Sequence, residues 1–136
     1  MKRLTAEWVK KAEDDYAGAV ALNRRRSSPL PDLVCFHCQQ SAEKYLKAFL
    51  HENGVGFGKT HDLEELLDLA TPVDASLSSL MPHTDELNKY SVEFRYPGKT
   101  TTTADARDAL AATRVVRAAF RPCLRIKPPP RRKKKP

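Results

Sequence analysis

The sequence predicts an all-α protein, built as an antiparallel up-and-down bundle of about five helices. Apolar residues recur at helical spacing along most of the chain, and no alternating apolar run is long enough to form a strand. Hydrophobic residues make up 40% and charged residues 30% of the chain, which is typical of a globular protein. With 136 residues there is room for one domain. We therefore expect a helical bundle over residues 1–125 and a separate tail over residues 126–136.

The first two predicted helices are the longest. The first runs from about Thr5 to Arg25, where serine and proline residues break the helical pattern. The second begins near Asp32, a suitable N-cap, and ends near Asn53, ahead of a glycine. This second helix is apolar on most of its sides. Such a helix lies at the centre of a bundle or contacts a second subunit, so we expect a homodimer.

Three further helices complete the predicted bundle. The third covers about residues 62–70, and a break at Thr71 and Pro72 follows it. The fourth is a broken helix over residues 74–94. The fifth is capped by a threonine at position 102 or 103 and runs to about Cys123, with a stripe of small and apolar residues on its buried side.

The net charge of +7 comes from the tail. Seven cations lie between Arg125 and the C-terminus, whereas residues 1–124 hold equal numbers of basic and acidic side chains. Prolines and like-charge repulsion prevent such a tail from packing. We expect it to bind nucleic acid without sequence preference, through a run of five cations: Arg131, Arg132, Lys133, Lys134 and Lys135.

The three cysteines are Cys35, Cys38 and Cys123, and an odd number argues against a secreted disulfide scaffold. Cys35 and Cys38 have the spacing of a zinc-binding pair, but they lie within a predicted helix and no second pair accompanies them. Buried thiols are therefore expected. No apolar stretch approaches the roughly 18–20 residues that span a bilayer. We expect a cytoplasmic protein without a membrane segment, metal or cofactor.

Four short motifs follow one another along the chain. Ala-Glu-Asp-Asp fills positions 12–15, Gln-Gln-Ser-Ala-Glu-Lys-Tyr-Leu-Lys fills 39–47, Thr-His-Asp-Leu fills 60–63, and Phe-Arg-Tyr-Pro fills 94–97. In that order they resemble the HEPN family (higher eukaryote and prokaryote nucleotide-binding domain). The resemblance covers about residues 4–124. It implies a helical bundle that dimerises.

The resemblance also implies two kinds of function. Many members of the family are encoded beside a minimal nucleotidyltransferase, in what look like toxin–antitoxin pairs. Others are ribonucleases that use an Arg-x4–6-His motif at the dimer interface. This chain departs from that motif, because threonines occupy positions 100–102 after Arg95 and no other arginine has a histidine at that distance. The resemblance therefore supports the fold better than it supports nuclease activity.

Arg95 and His61 are the candidate catalytic residues. Arg95 follows the fourth predicted helix, and a guanidinium can hold a phosphate through two hydrogen bonds, although it can equally bind helix-end carbonyls. His61 precedes the third predicted helix, where the helix dipole favours a neutral imidazole that could act as a base. A purely structural role at the start of that helix is the alternative for His61.

The candidate nucleotide- or phosphate-binding residues lie in two loops that precede helices. Backbone amides at helix starts favour anions. The glycine loop that ends at Thr60 is not a P-loop, because Asn53 occupies the first glycine position and a helix precedes the loop instead of a strand. The predicted residues of these two loops are Lys59, Thr60, Arg95, Tyr96 and Lys99.

Two helix faces remain open to alternative interpretations. The polar face of the second helix either lines a groove or is a solvated or interfacial surface; its members are Gln39, Gln40, Glu43, Lys44 and Lys47. The arginines along one side of the fifth helix either follow a phosphate backbone or pair with acidic residues such as Glu13.

Three functions are consistent with the sequence. The first is a dimeric binding and regulatory module for a nucleotide, RNA or a minimal nucleotidyltransferase partner. The second is a metal-independent ribonuclease with an atypical active site centred on Arg95. The third is a helical interaction domain without a nucleotide ligand.

Overall fold

The computed structural model describes residues 1–91 and 97–126, and within them it contains helices and no strand. The helices are α1 (Arg3–Asn23), α2 (Pro31–Glu52), α3 (Leu63–Ala70), the 3-10 helix η1 (Ala75–Leu80), α4 (Met81–Asn88) and α5 (Thr103–Phe120). The all-α prediction is confirmed.

The first two helices pack antiparallel along their whole length. Lys2 at the start of α1 bonds to Glu52 at the end of α2, and the carbonyl of Ala12 accepts a hydrogen bond from Ser41 in the middle. Ser41 is completely buried, and its hydroxyl donates to that carbonyl at 2.9 Å. The interface between α1 and α2 therefore tolerates this polar group, because its hydrogen bond is satisfied.

Helix α2 lies at the centre of the bundle. It packs against α1, α3, α4 and α5, and none of its residues after Leu33 is exposed. The broad apolar face that led us to expect a second subunit is thus covered by the chain's own helices. Dimerisation stays a prediction, but it no longer rests on uncovered surface of this helix.

The start of α2 differs from the prediction. Leu30 is the N-cap and Pro31 occupies the first turn, where a missing N–H costs nothing. Asp32 therefore lies inside the helix, and its carboxylate accepts hydrogen bonds from the amide and hydroxyl of Thr101, at 2.8 and 2.6 Å. The predicted N-cap at Asp32 is wrong because a loop distant in sequence captures this side chain.

The caps of α3 and α5 follow from short-range chemistry. Asp62 caps α3 through the amide of Glu64, as expected at this position. The pair of Asp62 and Glu65 predicts an acidic capping box, which is wrong, since Glu65 instead accepts from the hydroxyl of Thr60 at 2.8 Å. Thr102 caps α5 in a complete capping box with Asp105.

The fourth helix is broken, as predicted. The 3-10 helix η1 leads directly into α4, which ends at Asn88. Residues 92–96, with the candidate residues Arg95 and Tyr96, lie outside the described residues, as do residues 127–136 with the five tail cations. On α5 the predicted buried side is observed through Phe120, whereas Cys123 is exposed. No helix in the described ranges is long and apolar enough to cross a bilayer.

Candidate functional site

The polar face of α2 divides into a buried row and a half-exposed row. Gln39, Glu43 and Lys47 follow one another at intervals of four residues, so they lie on one side of the helix, and all three are buried. Gln40 and Lys44 are half-exposed. The interpretation of this face as entirely solvated is therefore wrong.

A buried ion pair at the centre of this face holds the histidine that precedes α3. Glu43 accepts from Lys47 Nζ at 3.2 Å through one carboxylate oxygen, and its other oxygen is 2.8 Å from His61 Nδ1. The side chain of Glu43 is 3% exposed and that of Lys47 is 7% exposed, whereas that of His61 is 53% exposed. Gln39 donates to the carbonyl of His61 at 3.1 Å. These bonds fasten the loop after α2 to the middle of α2.

Two aromatic rings cover the buried lysine. Lys47 Nζ lies 5.6 Å from the ring centroid of Trp8 and 5.8 Å from that of Phe57, and the two rings contact each other edge to face. Such positions above ring faces attract a cation. The rings also exclude water, which strengthens the attraction between Lys47 and Glu43 and raises the cost of leaving either charge alone.

His61 has the geometry of a general base. With Nδ1–H donated to the carboxylate of Glu43, the lone pair of a neutral ring is on Nε2, at the exposed edge of the side chain. A carboxylate behind Nδ1 fixes the tautomer and the orientation of the ring. The same bonds also anchor the loop.

A second histidine is held in the same way. His37 Nδ1 is 2.9 Å from Asp15 of α1, and Lys44 pairs with the other oxygen of that carboxylate. The sequence leaves two alternatives for His37, a contact with the first helix or with a partner subunit, and the structure shows the first of them. Gln40 donates to Gln39 at 2.7 Å, so hydrogen bonds link the half-exposed row to the buried row.

A cluster on another side of α2 joins three helices. Arg117 of α5 binds Glu13 of α1 with two hydrogen bonds, of 2.7 and 2.9 Å, and Tyr45 of α2 donates its hydroxyl to the same carboxylate. The guanidinium of Arg117 also lies 5.0 Å from the ring centroid of Tyr16. At Arg117 the arginine side of α5 is therefore paired, which is one of the two predicted alternatives.

The charge of Glu13 is retained at this partly buried position. Burial by itself raises the pKa of Glu13, but hydrogen bonds from Arg117 and Tyr45 and the positive charge of Arg117 outweigh it, so the pKa lies below its ordinary value. Burial and the hydrogen bond to Glu13 raise the pKa of Tyr45. The cluster thus combines an ionised carboxylate, an arginine and a neutral tyrosine.

The loop candidates are not brought together. Lys59 is exposed, and the hydroxyl of Thr60 is already engaged with Glu65 and with the amide of Asp62. Lys99 is exposed in the other loop. Their roles in phosphate binding stay predictions, as do those of Arg95 and Tyr96. Among the described residues, no three His, Cys, Asp or Glu side chains are placed to hold a metal ion.

The cysteine pair of α2 is buried, as predicted. Cys35 and Cys38 have no exposed surface, and burial raises the pKa of Cys35 to about 12 and that of Cys38 to about 11. Both thiols are therefore protonated near neutral pH, whereas the nucleophile and the metal ligand is the thiolate. Neither cysteine is suited to nucleophilic chemistry.

We expect one thiol of the native protein to react with a disulfide reagent and two to be protected. A rise of two pKa units lowers the thiolate fraction about a hundredfold, and burial excludes the reagent, whereas Cys123 is exposed. Absorbance after addition of Ellman's reagent would separate a fast and a slow phase of the thiol reaction. The substitution Cys123→Ser should remove the fast phase. Two or more fast thiols would contradict the buried positions of Cys35 and Cys38.

Comparisons with known proteins agree on one fold. The family model described as "HEPN domain" matches residues 5–122. The crystal structure of an archaeal HEPN homologue aligns with a TM-score of 0.68 and 25% sequence identity, over 91% of this chain and 99% of that chain. A comparison with curated proteins gave no significant match.

Proposed function

The chain belongs to the HEPN domain family, and from this premise we propose that it is a nucleotide- and RNA-associated binding and regulatory module. Its partner in this proposal is a minimal nucleotidyltransferase, in a toxin–antitoxin-like pair in the cytoplasm. The family match over residues 5–122 is the observation that carries the proposal, because it covers α2 to α5 and all but the first two residues of α1.

The absence of the family's ribonuclease motif favours binding over cleavage. No arginine in the sequence is followed by a histidine after four to six residues. A cleaving enzyme needs a proton acceptor beside the phosphate-binding group. A binding module needs only groups that hold the phosphate.

The partner and the oligomeric state are tested separately. A nucleotidyltransferase reading frame next to this one would support the pairing, and co-purification of the two proteins would establish it. For the homodimer, light scattering should give twice the chain mass of 15.3 kDa at micromolar concentration. A particle of the chain mass would remove the dimer from the proposal.

Replacing the five tail cations with glutamine is expected to flatten the salt dependence of RNA binding. Each phosphate neutralised on a single strand contributes about 0.7 to the magnitude of the slope of log affinity against log salt, so five fewer cations should lower that magnitude by about 3.5. Fluorescence anisotropy of a labelled single-stranded RNA at several salt concentrations measures the slope.

The charge-conserving control replaces Lys133, Lys134 and Lys135 with arginine, which should leave the slope unchanged. An unchanged slope in the glutamine variant would show that the tail does not contact RNA. Binding of RNA, ATP or GTP that survives the glutamine substitutions belongs to the bundle. No surviving binding would favour a helical interaction domain without a nucleotide ligand.

The pair of His61 and Glu43 supports the ribonuclease as a second candidate. In metal-independent cleavage the 2′-hydroxyl attacks the adjacent phosphorus and gives its proton to a base. The bond to the 5′-oxygen breaks, that oxygen takes a proton from water, and a 2′,3′-cyclic phosphate results. His61 Nε2 would accept the first proton, with Glu43 2.8 Å behind the ring. Arg95 would bind the phosphate.

Incubation of labelled RNA with the purified protein, with and without a chelator, separates the two candidates. Cleavage that resists the chelator and is lost in both His61→Ala and Arg95→Ala would establish the enzyme. His83→Ala, a half-exposed histidine on α4, is the matched control and should cleave normally. If the purified wild-type protein does not cleave RNA, the ribonuclease is ruled out and the binding module remains as the proposed function.

A further inference from the structure

A pocket of about 240 Å³ lies at the end of the bundle where α1 ends and α2 and α5 begin. The buried Val34 and the half-exposed Leu22 form an apolar part of its lining, the apolar floor, and residues of the segment between α1 and α2 line it as well. Polar atoms are available from Asn23 and Thr103. Two arginines, Arg25 and Arg107, also line the pocket. The pocket therefore combines an apolar floor with positive charge.

Both arginines lack a counter-charge in the described parts of the chain. Neither makes a side-chain hydrogen bond or an ion pair there, and both are exposed. On α5 the positions three and four residues away from Arg107 hold no acid, so no partner faces it along the helix. Arg117 of the same helix, by contrast, is fully paired with Glu13.

Two acidic residues near this end of the bundle are hydrogen-bonded, and a third, Asp108, is exposed one residue from Arg107. Asp32 accepts two hydrogen bonds from Thr101, and Asp105 accepts the amide of Thr102 in the capping box of α5. The first turn of α5 is thus capped by its own residues, and Pro31 at the start of α2 has no N–H to offer. The two arginine side chains, and not the helix ends, carry the positive charge of the pocket.

We propose that this pocket binds a phosphate monoester with a small apolar body, with Arg25 and Arg107 on the phosphate and the ring of the ligand on the apolar floor. Guanidinium groups form strong, directional hydrogen bonds with phosphate. A volume of about 240 Å³ is below the roughly 300–1,000 Å³ of typical drug-sized sites, so the pocket would enclose only one end of a nucleoside monophosphate.

This inference rests on the proposed nucleotide- and RNA-binding function and gives that function a location. Two sources of the ligand share the same chemistry: a free nucleoside 5′-monophosphate and the 5′-phosphorylated end of an RNA. The location differs from the loops around Lys59 and Lys99 and from the pair of His61 and Glu43.

The test uses the full chain and nuclear magnetic resonance. Adenosine 5′-monophosphate is titrated into the labelled protein, and we expect the shifts to concentrate at Leu22, Val34 and Ala106. The double variant Arg25→Gln/Arg107→Gln should bind at least about tenfold more weakly, because two charge-assisted hydrogen bonds are lost.

The matched control also removes two positive charges, but from residues that do not line the pocket. Arg24 and Arg26 flank Arg25 in the sequence but do not line the pocket, so Arg24→Gln/Arg26→Gln should weaken binding less than about twofold. Equal weakening by both double variants would overturn the proposal, since it would indicate general electrostatic attraction. Shifts that concentrate elsewhere would overturn it as well.

Three further ligands complete the test. Inorganic phosphate should bind more weakly than the nucleotide, and equal affinity would overturn the role of the apolar floor. A short RNA with a 5′-phosphate should compete with the nucleotide, whereas the same RNA with a 5′-hydroxyl should not. Of the free nucleotide and the 5′-phosphorylated RNA, the one that binds with higher affinity is the source of the ligand.

The failure of the two proposals can be told apart. If neither the nucleotide nor any RNA binds to the wild-type protein, the proposed function fails. If they bind and the variant Arg25→Gln/Arg107→Gln is unaffected, the function stands and the assignment of this pocket fails.

Discussion

Replacing Glu43 with alanine is expected to lower the free energy of unfolding by about 3–5 kcal/mol. The substitution leaves the ammonium of Lys47 in the interior, 7% exposed and without its counter-charge. It also removes the acceptor of the Gln39 and His61 hydrogen bonds, so the loop before α3 loses its attachment to α2. Urea unfolding followed by circular dichroism measures the change.

The control is an exposed pair with the same spacing in sequence. Lys10 and Asp14 on α1 are also four residues apart and 3.0 Å from each other, but their side chains are 75% and 67% exposed. Asp14→Ala should cost less than about 0.5 kcal/mol, as solvated pairs do. A cost for Glu43→Ala no larger than that of Asp14→Ala would show that Lys47 is not confined as the structure has it.

Replacing Arg117 with alanine is expected to destabilise the protein by about 2–3 kcal/mol, because Glu13 then loses the cation that is hydrogen-bonded to its partly buried carboxylate. The loss should depend on pH. The pKa of Glu13 is depressed in the folded protein, so its contribution is complete above its ordinary value of 4.5 and disappears as the pH falls through the folded value.

Urea unfolding of the wild type and of Glu13→Gln at neutral pH and at about pH 3 tests that dependence. The stability difference between them should be largest at neutral pH and should shrink in acid. Lys89→Ala, which breaks the exposed pair with Glu86, is a control that should have little effect at neutral pH. A difference that grows in acid would contradict the ionised state of Glu13.

Much of the fold could be predicted because it depends on local patterns. Helical periodicity and breakers predict the α-helices, and the side-chain pattern predicts a threonine at position 102 or 103 as the cap of α5, which is Thr102 in the structure. Asp32 was assigned wrongly because its partner, Thr101, is 69 residues away, a contact that no local pattern contains.

The candidate site was harder to predict for the same reason. Glu43 and Lys47 are recognisable as polar residues of one helix face, but Lys47 is covered by Trp8 and Phe57, which approach from elsewhere in the chain. The four-residue spacing from Gln39 onward did contain the signal that these side chains share one side. Whether that side is exposed to solvent or buried is decided by the tertiary contacts.

The link between Glu13 and Arg117 spans 104 residues, and this separation has a consequence for biosynthesis. Translation proceeds from the N-terminus, so α1 and α2 leave the ribosome as a hairpin well before Arg117 has been made. Until then the carboxylate of Glu13 can be satisfied only by water and Tyr45. The arrival of α5 is therefore the step that brings Arg117 to Glu13 and removes water from this contact.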